Sequence, residues 1–274
     1  MIYTGMPETV VSIDDVINSL KKSNESKRVT IPLVCSDFEV VLEPLGAKQI
    51  SKINSSFMAS GMNGSHHIQF TVVVKSIFDD LLTLPEGKTY NDINIVDMHF
   101  LVFKLREMLG NDFKVLSDVG EEEVDVCTKT QIKRLLDSEI KTTHTVKVDG
   151  IEITLELPSY KKSFFYNKEL KTVYDRVLKE KVPNMEVVAK EAFVFMLLPF
   201  LKDITIINNK ETQTLVFEGQ SIDSQRKLLN TLSKECYRGV LDSIEILSEP
   251  INVALTLDGT DVKIPFDHTL FIDR

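Results

Sequence analysis

The chain has 274 residues, a formal net charge of −9, 43% hydrophobic residues and 27% charged residues. This composition is typical of a globular protein, and the length is sufficient for two subdomains with a substantial core. Nonspecific duplex binding requires clustered Lys and Arg, so the acidic balance argues against nucleic acid as a partner. The most apolar run, 192–201, has ten residues, whereas a membrane-spanning helix needs about 20. We therefore expect no membrane insertion.

The three cysteines, Cys35, Cys127 and Cys236, are widely separated in the sequence. Their spacing fits neither a disulfide framework nor the paired ligands of a zinc knuckle. The amino-terminal segment lacks the basic flank and apolar core of a signal peptide. The sequence therefore predicts an intracellular protein that is not exported and that has no bound metal and no cofactor.

Hydrophobic periodicity and turn residues predict mainly helices in the first half of the chain. A short helix capped by Ser12 precedes a β-hairpin whose strands join at Ser36 and Asp37. The last of three further helices is expected to begin after Asn91 and Asp92. In chain order, the elements predicted after the hairpin are helices 48–58, 67–82 and 93–109, strands 113–116 and 124–127, and helix 131–140.

The second half is predicted to alternate hairpins with helices. Asp149-Gly150 lies between two alternating strands, and a type I′ turn favours these residues because both central positions need positive φ. Asp258-Gly259 predicts a second such hairpin near the C-terminus. Between the two hairpins, the predicted elements are helices 168–181 and 185–198, strands 204–208 and 214–218, and helices 221–236 and 240–247.

These elements together predict an α+β fold in which helical layers are combined with several antiparallel β-hairpins. We expect two subdomains. The first, 1–157, contains a hairpin, three helices, strands and the Asp149-Gly150 hairpin. The second, 158–274, is helical and ends in the C-terminal β-hairpin.

Candidate catalytic side chains do not form a recognisable motif. The sequence has no GxSxG elbow, no GxxxxGK[ST] loop and no HExxH helix. His66 and His67 are interpreted as helix-start or surface residues, and His99 as a buried or subunit-facing imidazole. A Cys127–His144 nucleophile pair is conceivable, but no pattern favours it. No catalytic residue is therefore predicted, and an unrecognised hydrolase is kept as an alternative.

Two charged runs also have simple structural interpretations. The acidic run 121–123 lacks the spaced oxygen ligands of a calcium loop, so we interpret it as a solvated turn. Lys161 and Lys162 precede the aromatic run 164–166, which could be a basic and aromatic nucleic-acid patch. On an acidic chain, a helix entry that packs its aromatic residues inward is the favoured interpretation.

The apolar helix that starts near Glu186 permits two interpretations. Its hydrophobic residues fit an ordinary core element, which is the favoured interpretation. As the alternative, Phe193, Met196, Leu197 and Phe200 would form an apolar face for another subunit.

The strand pair VTIPLVCSDFEVVLEPLG and the segment IVDMHFLVFKLREMLG resemble the baseplate hub protein family of T4-like phages, which includes the hub assembly proteins. In that family a strand pair leads through a helix into a segment with Asp, an aromatic-Leu pair, Arg and Gly. Here these positions are Asp97, Phe100, Leu101, Arg106 and Gly110. The resemblance continues through the later hairpins and helices, over most of the chain. Some relatives carry paired zinc-ribbon cysteines, which this chain lacks.

The resemblance implies a nonenzymatic baseplate or tail-hub subunit, or an assembly factor for one. Its partners would be other baseplate or hub proteins, and self-association is left open. Its location would be the virion or, during assembly, the host cytoplasm. An adaptor protein unrelated to phage is a further alternative.

We interpret Asp97 and Arg106 as structural residues. They are nine positions apart, which in a helix is about 14 Å of axial rise and too far for a mutual salt bridge. Each is therefore expected to find a partner on another element.

The C-terminal hairpin and its tail generate a prediction about assembly. A lone two-stranded hairpin is marginally stable, and Phe266, Leu270 and Phe271 add apolar area. We expect these residues to dock on a neighbouring subdomain or a partner subunit. Deleting 267–274 should leave a folded chain with weaker partner binding, as measured by circular dichroism and titration calorimetry. Undiminished binding by the truncated chain would contradict the interface assignment.

Overall fold

The computed structural model describes residues 13–14, 27–60, 66–110, 112–116, 123–180, 184–207, 211–251, 254–257 and 260–263. Several sequence predictions lie outside these residues. They are the Ser12 cap, the turn at Asp258-Gly259, and the tail residues Phe266, Leu270 and Phe271.

Helices and short antiparallel strands alternate along the described chain. The helices are α1 (Ala47–Ser60), α2 (His66–Leu81), α3 (Ile95–Leu109), α4 (Thr128–Asp137), α5 (Tyr160–Leu178), α6 (Met185–Leu197), α7 (Ile222–Thr231) and α8 (Lys234–Ser248). The strands are β1 (Val29–Pro32), β2 (Glu39–Leu42), β3 (Leu82–Thr83), β4 (Asp112–Leu116), β5 (Glu123–Cys127), β6 (Thr143–Val148), β7 (Ile151–Glu156), β8 (Leu201–Ile207), β9 (Thr212–Val216), β10 (Ala254–Leu257) and β11 (Thr260–Lys263).

The strands form two larger sheets and two isolated pairs within the described residues. The larger sheets have the orders β1-β2-β3 and β6-β7-β8-β9, and the pairs are β4-β5 and β10-β11. The pairings between neighbouring strands are antiparallel. This arrangement of helices with antiparallel sheets confirms the α+β class.

The β6-β7 hairpin has the turn that its sequence predicts. Asp149 and Gly150 have φ values of 48° and 77°, as a type I′ turn requires. A Cβ on Gly150 would lie 2.9 Å from the carbonyl oxygen of Ile207. A larger residue at this position would therefore strain the turn and also clash with β8.

Helix α8 covers the four-stranded sheet at close range. A Cβ on Gly239 would lie 2.6 Å from Cγ1 of Val146 on β6. Glycine is therefore required for the helix to approach the strand this closely. The same helix contributes to the core the buried side chains of Val240, Ile244 and Leu247.

The main core contains residues from β1 to α8, and a smaller cluster between α5 and α6 contains Tyr174, Val177 and Val188. Helix α3 is at the centre of the main core, because Leu101, Val102 and Phe103 are each almost fully buried. The beginnings of α3 and α5 are also joined, since the Tyr160 N–H donates to the Ile93 carbonyl at 2.6 Å. β7 pairs with β8. Strands from both sides of the predicted 157/158 boundary therefore belong to one sheet.

The carboxylate of Asp97 fastens the β1-β2 loop to the start of α3. Oδ1 accepts the N–H groups of Val34 and Cys35, each at 2.8 Å, and Oδ2 accepts the Ser36 hydroxyl at 2.6 Å. Asp97 is fully buried. It is thus held by partners on another element, which is the role that its position in the sequence predicted.

Three predicted helix limits are wrong. Asn94, not Asn91 or Asp92, caps α3, because its side chain accepts the Asp97 N–H. Ser159 caps α5, which begins at Tyr160, eight residues before the predicted start at 168. The predicted helix 221–236 is interrupted near Ser233, which caps α8. At α5 and α8 a side-chain cap fixed the start more strongly than the apolar periodicity, and at α3 the cap is a later residue than the two inferred from the sequence.

Two other predicted elements are displaced by a few residues. Helix α4 begins at Thr128 instead of at 131. Strands β8 and β9 are Leu201–Ile207 and Thr212–Val216, whereas 204–208 and 214–218 were predicted. Each shift is toward the N-terminus.

Asp97→Ala should lower the free energy of unfolding by roughly 2–4 kcal/mol, because it removes charge-assisted hydrogen bonds and leaves two backbone N–H groups without their acceptor. Urea denaturation measures this change. Glu186→Ala is the matched control, because its exposed i,i+4 pair with Lys190 is worth about 0.5 kcal/mol or less. Equal effects of the two substitutions would contradict the structural role of Asp97.

Candidate functional site

A largely apolar groove opens where α3, α5, α6 and α8 converge. Its volume is about 370 Å³, which is within the usual range of small-molecule and side-chain pockets. Met98, Tyr160, Phe195, Met196 and Ile244 are among the residues that line it. The groove is therefore suited to apolar groups of a ligand or of another protein.

His99 is the titratable imidazole in the lining of this groove. Its Nδ1 lies 2.7 Å from the Ile95 carbonyl oxygen, so Nδ1 carries the proton and donates. Ser163, Asn167 and Ser248 also line the groove. Neither Asp nor Glu occurs among its described lining residues.

Helix α6 presents an exposed apolar stripe beside the groove. Met185, Ala189, Phe193 and Met196 follow one another at spacings of four, four and three residues and therefore lie on one face. All four are exposed, including Met185 at 47% and Met196 at 50%. We call these residues the α6 stripe. Met196 also lines the groove, so the stripe and the groove form one continuous apolar surface.

Another side of α6 faces the interior. Val188 and Phe195 are buried there, whereas the α6 stripe is exposed. Within the fold, the ring of Phe193 contacts that of Tyr237 on α8, with centroids 6.0 Å apart. The exposed part of the stripe is available to a second protein.

Polar groups surround the α6 stripe. Glu186 and Lys190 form an exposed ion pair at 2.7 Å on one flank of the helix. On another side, Glu191 pairs with Arg226, whose guanidinium lies 5.3 Å from the ring centroid of Phe195. An apolar centre with a charged rim is the usual anatomy of a protein–protein interface.

The four residues that were predicted to form one apolar face differ in exposure. Phe193 and Met196 are exposed, whereas Leu197 and Phe200 are buried. Residues Leu198–Phe200 form a 3-10 turn, which redirects the chain into β8. Met185 and Ala189 were not recognised from the sequence. The signal that could have found them is the spacing of four, four and three residues that places them on one face with Phe193 and Met196.

The motif residues of α3 are part of the fold and not of the groove lining. Phe100, Leu101 and Arg106 are buried. Gly110 ends the helix, with its N–H donating to the Arg106 carbonyl at 3.1 Å. The tail residues proposed for an interface lie outside the described residues.

The remaining histidine and cysteine candidates are dispersed. His144 Nδ1 lies 2.8 Å from the Ser243 hydroxyl, at the contact of β6 with α8. Cys127 is exposed at the end of β5. Within the described ranges, no three His, Cys, Asp or Glu side chains are grouped so that they could hold a metal ion.

The lysines at the start of α5 border a separate polar cleft. Lys162 donates to the Leu201 carbonyl at 2.9 Å, and burial lowers its pKa while the carboxylate of Glu156 opposes this shift. Of the following aromatic residues, Tyr166 is buried but Phe165 is 48% exposed. The predicted inward packing therefore holds for Tyr166 and is wrong for Phe165.

Among the described helices, none is both long enough and apolar enough to span a membrane. In comparisons with known proteins, no family model, curated protein or solved structure matched this chain.

Cys35 beside Asp97 yields a pH-dependent prediction. Burial raises the pKa of the Cys35 thiol to about 11, and the charge of Asp97 adds to this shift while a hydrogen bond from Asn94 opposes it. Because the thiolate is the reactive form, alkylation of Cys35 by iodoacetamide should accelerate about tenfold per pH unit up to about pH 10. Peptide mass spectrometry measures the rate. The urea-unfolded chain is the control, and a plateau near pH 9 in the folded chain would contradict the shift.

Proposed function

We propose that this protein is a nonenzymatic subunit or assembly factor of a larger protein complex and that it binds a partner through the α6 stripe and the adjoining groove. The observation that carries the proposal is the exposure of Met185, Ala189, Phe193 and Met196 on one face of a helix that also buries Val188 and Phe195 in the interior. Burying exposed apolar area is the main favourable term in protein association. A charged rim then gives the contact its orientation.

The chemistry of the surface indicates what the partner presents. The α6 stripe has no charged side chain, and the groove beside Met196 is lined mainly by apolar residues. A partner helix or extended segment with a large apolar side chain would fill the groove and cover the stripe. Flexible methionines at both ends of the stripe, Met185 and Met196, adapt readily to such a side chain.

The narrower proposal is that the complex is a phage tail baseplate. It is supported by the sequence resemblance at Asp97, Phe100, Leu101, Arg106 and Gly110. The buried positions of the first four give a physical reason why such a pattern specifies a fold. The α6 stripe supports the broader proposal of an interface protein and is independent of that resemblance.

A photocrosslinking amino acid at Ala189 tests the surface directly. The full chain is produced in cells that make the complete assembly, and the crosslinked partner is identified by mass spectrometry. A tail or hub protein is the expected partner. A partner outside phage tails would contradict the narrower proposal, and the absence of any crosslink at this position would contradict the broader one.

The double substitution Met185→Glu/Met196→Glu should weaken binding of that purified partner at least about 30-fold, because it replaces two apolar contacts of about 1 kcal/mol each with buried charges. Titration calorimetry measures the affinity. Leu136→Glu on α4 is the matched control, since Leu136 is 56% exposed and lies outside the stripe. Both variants should retain the thermal stability of the original chain. Equal affinities for the partner would show that the α6 stripe is not the interface.

A further inference from the structure

Strand β9 is the outer strand of the four-stranded sheet. It pairs with β8 on one side, and no strand among the described residues pairs with its other side. All five residues from Thr212 to Val216 are exposed. The outer edge of β9 is therefore accessible to another strand.

The direction of its backbone groups follows from the register. The Ile207 N–H donates to the Gly150 carbonyl and thus points toward β7, while Ile207 lies opposite Thr212. The Phe217 N–H donates in turn to the Lys202 carbonyl on β8. Since bonded and non-bonded positions alternate in an antiparallel pair, the N–H and C=O groups of Thr212, Thr214 and Val216 point outward.

This edge lacks the features that normally prevent strands from pairing. The sequence TQTLV contains neither a charged residue nor proline. By contrast, the strand at the edge of the smaller sheet, β1, ends in Pro32, and the opposite edge strand β6 carries Lys147. Charges and proline are common devices against edge-to-edge association. β9 has neither, and Leu215 and Val216 add exposed apolar area.

We propose that β9 pairs with β9 of a second copy of this chain, antiparallel about a two-fold axis at Thr214. In this register Thr214 lies opposite Thr214 of the second copy, and Thr212 lies opposite Val216. All three outward-facing positions are then used, which gives about six backbone hydrogen bonds. A shift by two residues in either direction would leave outward-facing groups of both strands without partners.

The side chains of β9 also favour a second copy of this chain as its partner. The symmetric register brings no like charges together, because Glu211 lies opposite Phe217 of the second copy. Thr212 and Val216 form a β-branched cross-strand pair, a type that stabilises antiparallel sheets. The edge is thus complementary to itself, as a two-fold contact requires.

The mass of the full chain in sedimentation velocity tests the proposal. The original chain should form dimers at high micromolar concentration. Thr214→Lys should shift the population to monomer, because it places two ammonium groups next to each other at the two-fold axis. Thr205→Lys is the matched control: Thr205 lies opposite Thr214 on β8, with hydroxyl oxygens 2.9 Å apart, one strand away from the edge. This variant should still dimerise.

Disulfide trapping provides a second, register-specific measurement. In the proposed dimer the two Thr214 Cα atoms are about 5.5 Å apart, within the range that a disulfide can bridge. Under mild oxidation, Thr214→Cys should therefore yield covalent dimers well above the level of the original chain. Leu215→Cys should not, because Leu215 lies opposite Gln213 of the second copy.

Four results would overturn the proposal. They are a monomeric original chain, an unchanged dimer in Thr214→Lys, loss of the dimer in Thr205→Lys without unfolding, and equal trapping at positions 214 and 215. A dimer lost in Met185→Glu/Met196→Glu but retained in Thr214→Lys would likewise assign self-association to the α6 stripe. Because the β9 edge is separate from that stripe, either proposal can fail while the other stands.

Discussion

The buried carboxylate of Asp97 is the constraint on which the first sheet depends. A carboxylate is costly to bury unless hydrogen bonds compensate its lost hydration. Here two backbone N–H groups and a hydroxyl of the β1-β2 loop provide that compensation. In turn, the Asp97 carboxylate provides the hydrogen-bond acceptors for these loop groups, which the loop does not provide itself. Asp97 is also in the first turn of α3, where the helix dipole favours a negative charge.

Fixing α3 in this way has consequences for the interface. The same helix contributes Met98 and His99 to the groove, and the groove continues into the α6 stripe through Met196. An apolar surface binds a partner well when its side chains are already held in place. The buried motif residues of α3 thus support the surface that we propose for partner binding without lining it.

The sequence specified local structure better than it specified contacts. Asp149-Gly150 identified its hairpin because one turn type accounts for those residues. The pairing of β7 with β8 could not be predicted, because alternating apolar residues show which face is buried but not which strand is adjacent. The same limit applies to the candidate site: Phe193 and Leu197 are both large apolar residues, and their opposite exposures depend on how α6 packs against α5 and the 3-10 turn.

Because the protein has a large negative net charge, we expect two copies to associate through surfaces that have no charged side chains. Two copies with a formal charge of −9 each repel one another at long range. This repulsion is screened beyond about 8 Å at physiological ionic strength, whereas backbone hydrogen bonds and apolar contacts act at short range and are little affected. The α6 stripe and the β9 edge contain no charged side chain. Association at either surface should therefore tolerate added salt, because salt weakens the repulsion and leaves the attractive contacts intact.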